Sequence, residues 1–307
     1  MSPAKLPSIS IVTPSFNQAE YIEETIESVL SQGYPRLEYM VIDGGSTDGS
    51  ADIIRKYEKH LTYWVSEKDQ GQSHAINKGF QRATGEVFNW LCSDDTLEPG
   101  ALSAVGTAFV GSMKPDVVIG GCLRKLPERD YVSLPSRDSL SLLPYGNPIP
   151  QPSCFIRRAL VPGDVLVRQD LHFVMDLELW CRLRDQTGRW CFIPDTLSFY
   201  RTTEDNKTSV GAMKIVREHD RVCRELDQRI IPLTMAYANT RLRLDMLRHR
   251  VRSRWFWSAT APIWYAMNYC LERAYGQQQV RVLGDLWFTF LWPQLVKETR
   301  SREHAQA

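Results

Sequence analysis

Two carboxylates stand side by side at Asp94-Asp95, just after the apolar run Val87–Leu91. Adjacent carboxylates repel, so a strand end that carries both favours a cation or a dense set of hydrogen-bond donors. Hard divalent ions such as Mg²⁺ and Mn²⁺ take one or two carboxylates from protein and further oxygens from substrate phosphates. The plain structural alternative is a solvated turn in which an Asp caps the next helix. A second candidate is Asp43-Gly44-Gly45-Ser46-Thr47-Asp48-Gly49. Its glycines admit positive φ and close ligand approach. Ser46, Thr47 or Asp48 can cap a helix, but capping does not require Asp43, which could instead accept hydrogen bonds from a base or ribose. A third is Thr13-Pro14-Ser15-Phe16-Asn17. There is no GxGxxG and no GxxxxGK[ST], which disfavours a dinucleotide dehydrogenase or a P-loop enzyme.

The elements that must position these residues follow from hydrophobic periodicity. Ser8–Val12 reads as a strand closed by Pro14. Ala19–Ser31 repeats apolar residues at Ile22, Ile26, Val29 and Leu30, which lie on one helical face. Tyr39–Ile42 is a second strand-like run, followed by capping residues before Ile53, Ile54 and Tyr57. Leu61–Val65, helix-like Ser73–Ala83 and strand-like Val87–Leu91 continue the alternation. This βαβ order implies an α/β fold with a mostly parallel sheet flanked by helices. Ligands bind such sheets beyond the carboxyl ends of the strands, where all three polar clusters fall.

From about Pro144 the pattern loosens. Asn147–Pro152 is loop-like, Cys154–Arg157 a short strand, Phe173–Leu183 a helix carrying Asp176 and Glu178, and Trp190–Pro194 a strand. A boundary near residues 205–212 separates an α/β domain over 1–210 from a helical extension over 211–307. Charge supports two parts. The chain has 307 residues and a formal charge of only +1, yet residues 1–206 hold 20 basic and 27 acidic side chains, whereas 207–307 hold 17 and 9. With 43% apolar and 24% charged residues, composition excludes a disordered, collagen-like or polytopic membrane chain. The seven cysteines show no CxxC spacing, which argues for thiols in a reducing compartment rather than a disulfide scaffold or a zinc site. No signal-peptide layout and no apolar run of about 18 residues is present, so a cytoplasmic protein is expected.

The segments PSISIVTPSFNQAEYIEETIESVLSQGYPRLEYMVIDGGSTDGS and EKDQGQSHAINKGFQRATGEVFNWLCSDDTLEPGAL closely resemble the family 2 glycosyltransferases, inverting enzymes of the GT-A fold. The blocks IPQPSCFIRRAL, FVMDLELWCRL and FIPDTLSFYRT resemble the acceptor-side half of the same domain. Together they cover roughly residues 7–210. The resemblance implies that Thr13, Pro14, Ser15 and Asp43 hold the nucleotide base. It implies that Asp69 helps position the nucleotide or donor sugar. Ser93-Asp94-Asp95 matches the family's DxD element with Ser in place of the first Asp. On that alignment Asp95 ligates Mn²⁺ or Mg²⁺, and Asp94 meets ribose or the cation's water shell. Asp176 matches the catalytic base, with Met175 in place of the usual first acid. Glu178 lies on nearly the opposite helical face. Arg201 resembles an element near the diphosphate. Gln151 is an acceptor-sugar contact or, equally, a loop-packing amide.

The implied function is inverting transfer from a nucleoside-diphosphate sugar to a hydroxyl of a saccharide or lipid-linked saccharide, in cell-surface polysaccharide synthesis. The alternative is a catalytically degenerate nucleotide-sugar-binding or scaffold protein. A nucleotidyltransferase is disfavoured because Thr13–Gln18 contains neither Gly nor a basic residue. In the extension, residues 241–254 carry six Arg and one acid, and five of the nine Trp lie within 255–292. Arg beside Trp and Phe over 241–296 suits an anionic membrane surface on the inner face of the plasma membrane. A helical cap packed on the domain or on a second copy is the plain alternative. Nothing in the sequence adds a nucleic-acid recognition motif.

Overall fold

The structure, a computed structural model, describes residues 5–125, 130–144, 146–202, 212–226 and 273. The chain divides into two units, Met1–Ser141 with Pro148–Thr203, and Leu142–Asn147 with Glu204–Ala307. In the second, helix α6 (Ala212–Leu226) is the described element, and Cys223 Sγ on it donates to Pro144 O at 3.2 Å. The Arg- and Trp-rich segment 241–296 lies outside the described residues, apart from Arg273.

The first unit opens with strand β1 (Ile9–Ser15), helix α1 (Ile22–Leu30), strand β2 (Leu37–Asp43) and helix α2 (Ser50–Lys56). Strand β3 (Tyr63–Ser66), helix α3 (Gln72–Arg82) and strand β4 (Val87–Trp90) complete the alternation. Then come β5 (Thr96–Leu97), α4 (Ala101–Val110), β6 (Val117–Lys125) and β7 (Asp130–Ser133). A single turn at Gln151–Ser153 leads into β8 (Cys154–Arg157), α5 (Met175–Gln186) and β9 (Trp190–Tyr200).

One sheet runs in the order β3-β2-β1-β4-β8-β6-β9-β5, with β7 on β6. The β3-β2-β1-β4 half is all parallel, as the alternation predicts. Beyond β4 the pairing is mixed. β8 is antiparallel to both β4 and β6, β6 and β9 are parallel, and β5 is antiparallel to β9.

Side-chain alternation sends Ile9, Ile11, Tyr39, Val41 and Val87 to one face, where they are buried against Ile22, Ile26 and Val29 of α1 and Leu102, Val105 and Phe109 of α4. The opposite face packs on α3 and α5. Phe80 meets Phe88 edge-on at 5.0 Å, and Trp90 stacks with Trp180 at 5.8 Å. A Cβ on Gly79 would come within 2.4 Å of Val12, so the missing side chain lets α3 lie on β1.

Two strands run longer than periodicity predicts. β1 continues through Pro14 to Ser15. Val12 O accepts Leu91 N on the β4 side and Ser15 O accepts Gly44 N on the β2 side. In a parallel ladder successive residues bond alternate neighbours, so Pro14 faces β4's side, where pairing has already ended at Val12 and Trp90. Its missing N–H therefore costs no ladder bond. β9 passes Pro194 through a bulge, since Ile119 pairs Phe192 while Gly121 pairs Thr196.

Candidate active site

The carboxyl ends of β1, β2, β3 and β4 form one rim. Its first part is a self-contained network. Asp43, fully buried at the end of β2, accepts from Gly45 N (3.1 Å), Ser46 N (2.9 Å) and Ser66 Oγ (2.6 Å) at Oδ2, and from Ser46 Oγ (2.5 Å) at Oδ1. The loops after β1 and β2 are sewn together. Asn17 N donates to Ser46 Oγ at 2.7 Å, Thr47 N donates to Asn17 Oδ1 at 2.9 Å, and Ala19 N donates to Asp48 Oδ2 at 2.8 Å. Asn17 sits at φ 52°, a left-handed conformation that Asn tolerates better than most residues.

Asp69, after β3, lies against the glycine pair. A Cβ on Gly44 would be only 3.0 Å from its Oδ2, and Asp69 Oδ1 accepts Gly71 N at 2.7 Å. Thr13, Pro14 and Ser15 are buried strand residues, which corrects the expected turn closed by Pro14. The Thr13 hydroxyl is within 3.0 Å of Tyr39 Oη and faces the core. Ser15 Oγ is buried and has no hydrogen-bond partner among the described residues. Phe16 is 60% exposed at this rim.

The second part surrounds the turn after β4. Asp95 is 1% exposed, whereas Asp94 is half-buried. Thr25 of α1 holds the turn by donating to Ser93 O (2.9 Å) and Asp95 O (2.8 Å). Arg201, just past β9, donates its backbone N–H to Asp95 Oδ1 and its Nε–H to Asp94 O, each at 3.1 Å. Its guanidinium pairs with Glu24 Oε2 at 2.5 Å and lies over the Tyr21 and Phe199 rings. Burial first, and then the charge of Asp94, hold the Asp95 carboxyl well above the ordinary carboxylate range. The Arg201 N–H and the charges of Arg124 and Arg201 oppose that shift without overcoming it. Arg124 lies on β6, its guanidinium 4.6 Å from the Tyr200 ring centroid. Arg124 and Glu24 escaped sequence reading because they are far from the Asp pair in the chain.

The third part is the α5 side. Asp176 stands half-buried at the start of α5. Burial and then the charge of Asp176 push up the thiol of Cys154, which opens β8 at the same end of the sheet as the β4 turn. Glu178 is buried and pairs with Arg182 at 3.3 Å, whose Nη2 also donates to Leu166 O. Gln151 donates to Trp90 O at 2.5 Å, and its Oε1 lies 3.7 Å from Cys92 Sγ. That side chain therefore joins the turn before β8 to the end of β4. Asn77 is also structural, clamping Leu166 N, Val167 N and Val167 O.

A family model described as "Glycosyl transferase family 2" matches residues 10–175. A putative teichuronic acid biosynthesis glycosyltransferase, TuaG of Bacillus subtilis, is 43% identical over 94 residues, 29% of this chain and 36% of that protein. An uncharacterized glycosyltransferase of Mycobacterium tuberculosis is 30% identical over 184 residues, 57% of this chain and 70% of that protein. The chain thus spans only about a third of the length of the Bacillus relative. Among solved structures, the mannosyltransferase PcManGT of Pyrobaculum calidifontis in complex with GDP-Man and Mn²⁺ superposes with a TM-score of 0.60 at 17% identity, covering 95% of this chain and 89% of that one. Residues 1–349 of Staphylococcus aureus TarS, in complex with UDP-GlcNAc, give 0.56 at 19% identity, covering 90% and 83%. At these identities the likeness establishes the fold, the GT-A arrangement of an α/β sheet.

Proposed function

The chain belongs to glycosyl transferase family 2, and on that footing we propose that it transfers a sugar from a nucleoside-diphosphate sugar to a hydroxyl of a saccharide or lipid-linked saccharide. Transfer inverts the anomeric centre and serves cell-surface polysaccharide synthesis. The observation that carries this reading is the buried Asp95 beside Asp94, tied to Arg201 at the carboxyl end of β4. The GDP-Man and UDP-GlcNAc bound to similar structures support the donor class, and the teichuronic acid role in the name of the Bacillus relative supports the polysaccharide.

The β4 turn fits a divalent cation. It offers two hard oxygen donors, and the raised pKa of Asp95 marks a charge that its surroundings leave underneutralised. Asp95 would be the direct ligand, and Asp94 would meet ribose or the cation's water shell. When bound, Mn²⁺ or Mg²⁺ would neutralise charge on the departing diphosphate.

The chain's own groups supply the rest. The end of β1 (Thr13, Pro14, Ser15) and the Asp43 loop form the base pocket. Phe16 offers an exposed ring for stacking, and Ser15 Oγ a hydroxyl without a partner among the described residues. Asp43 acts chiefly by holding its loop, because its acceptors already serve Gly45, Ser46 and Ser66. Asp69 positions the sugar side of the donor, and Arg201 sets its guanidinium toward the diphosphate. Asp176 takes the proton from the acceptor hydroxyl as that oxygen attacks the anomeric carbon, and the nucleoside diphosphate leaves from the opposite face. Gln151 would meet the acceptor only by exchanging its bond to Trp90.

The 241–296 segment would bring the protein to an anionic membrane surface at the cytoplasmic face. Among the described residues no helix is long and apolar enough to cross a membrane. Liposome flotation of the intact chain against one ending near residue 235 tests this, and equal partitioning removes the membrane role. For the activity itself, the test is nucleoside-diphosphate release from a panel of UDP- and GDP-sugars with Mn²⁺. Release dependent on the cation is expected. Neither release nor donor-induced thermal shift with any donor would overturn the reading.

A further inference from the structure

The two carboxylates of the β4 turn have a thiol beside them. Cys92 opens that turn, and its Sγ and one oxygen each of Asp94 and Asp95 all lie within 4.8 Å of one another. Metal–oxygen bonds of about 2.0–2.2 Å and metal–sulfur bonds of about 2.3 Å put donors on one ion roughly 3–4 Å apart, so small side-chain adjustments would close the set. Cys92 is half-buried, whereas Cys122, Cys154 and Cys181 are sealed in the core. Two other segments orient its sulfur. Gln72 Nε2, at the start of α3, donates to Sγ at 3.2 Å, and Gln151 Oε1, before β8, lies 3.7 Å from it. Three segments distant in sequence thus converge on one thiol at the edge of the carboxylate pair.

We propose that Cys92 joins Asp95 as a protein donor to the cation at the Asp94-Asp95 turn, and that it sets the cation preference of the site. The proposal rests on the reading of the β4 turn as a cation site. Mg²⁺ takes oxygen ligands and gains little from sulfur, whereas Mn²⁺, Co²⁺ and Zn²⁺ accept thiolate increasingly well. A site that adds one sulfur to its carboxylate oxygen therefore favours Mn²⁺ over Mg²⁺ and captures Zn²⁺ more tightly than either. Binding forms the sulfur–metal bond as the thiol proton passes to solvent, with no change of oxidation state. Gln72 is a positioning residue in this scheme, acting through the sulfur.

The test uses the full chain, stripped of metal with a chelator and titrated anaerobically with Co²⁺ in the presence of UDP or GDP. Thiolate ligation of Co²⁺ gives a near-ultraviolet charge-transfer band that carboxylate ligation does not. Wild type shows the band, Zn²⁺ removes it at lower concentration than Mg²⁺ does, and Cys92→Ser loses it. Cys92→Asp loses the band while retaining Mn²⁺ binding, followed by the disappearance of the free Mn²⁺ resonance signal, which guards against a folding defect. A band that persists in Cys92→Ser, or Mn²⁺ binding by wild type with no Co²⁺–thiolate band, overturns the role of Cys92 and leaves the cation site intact. Absence of both Mn²⁺ and Co²⁺ binding to wild type overturns the cation site as well.

Discussion

The loops after β1 and β2 and the turn after β4 lie on one edge of one sheet, yet charge is handled in opposite ways in the two places. At Asp43 the carboxylate is fully buried and receives four hydrogen bonds, all from residues within 23 positions of it. At Asp95 the carboxylate is equally buried, but a second acid stands beside it, and its bond to the chain comes from Arg201, 106 positions away. The first arrangement holds a shape without help. The second disfavours the charge of Asp95, which a cation would stabilise. A buried carboxylate is therefore structural or functional according to whether its own neighbourhood already satisfies it.

Substitutions at the two acids should separate these roles. Asp95→Asn should remove most Mn²⁺-dependent nucleoside-diphosphate release, by about 10²-fold or more, since stabilisation of a departing charge is commonly worth that much. It should leave the unfolding midpoint unchanged or raised, because it removes a buried carboxyl whose ionisation burial and Asp94 oppose. Asp43→Asn should do the reverse at the level of stability. Hydrogen bonds to a charged, buried group contribute about 1.5–3 kcal/mol each, and the amide can keep only some of them, so urea unfolding should shift by a few kcal/mol. If the two variants destabilise equally, the contrast between the sites fails.

Two smaller effects sharpen the comparison. Gly79→Ala should cost about 1–3 kcal/mol by overpacking Val12. It should perturb both regions together, because α3 carries them on one sheet face. Glu24→Gln removes an ion pair whose acid is 60% exposed. Its stability cost should stay below about 1 kcal/mol, and its effect should appear in donor KM if Glu24 orients Arg201. A change in kcat with KM unaltered would contradict that role.

What could be read from sequence divides along the same line. The parallel half was legible because its strands and helices alternate in short units and because Asp43-Gly44-Gly45-Ser46 draws its hydrogen bonds from nearby residues. β8 was legible to the residue, since Cys154–Arg157 is a short apolar run beside a Pro-rich loop. The second half was harder. Pro194 reads as the end of a strand, and only the bulge against Gly121 shows why β9 continues to Tyr200. Thr25 holds Ser93 O and Asp95 O from α1, and Arg201 reaches Asp94 and Asp95 from beyond β9. Nothing local to either residue announces that bond. Glu178 and Asp176 are two positions apart on α5, and the structure distinguishes them by burial, Glu178 being buried against Arg182 and Asp176 half-buried. Asp43 was expected to meet the base directly, and the four hydrogen bonds its carboxylate already accepts from Gly45, Ser46 and Ser66 were not legible from its position alone.

On the proposed function, the rim of β4 and α5 performs the reaction while the loops of β1 and β2 hold the nucleotide. Asp176→Asn tests it most directly, with donor binding and nucleoside-diphosphate release measured on the same protein in Mn²⁺. Binding within about twofold of wild type and release reduced by about 10²–10⁴-fold are predicted, the range that a positioned general base contributes. Release near the wild-type rate would show that another group takes the proton, and loss of donor binding would show that Asp176 belongs to the nucleotide pocket instead.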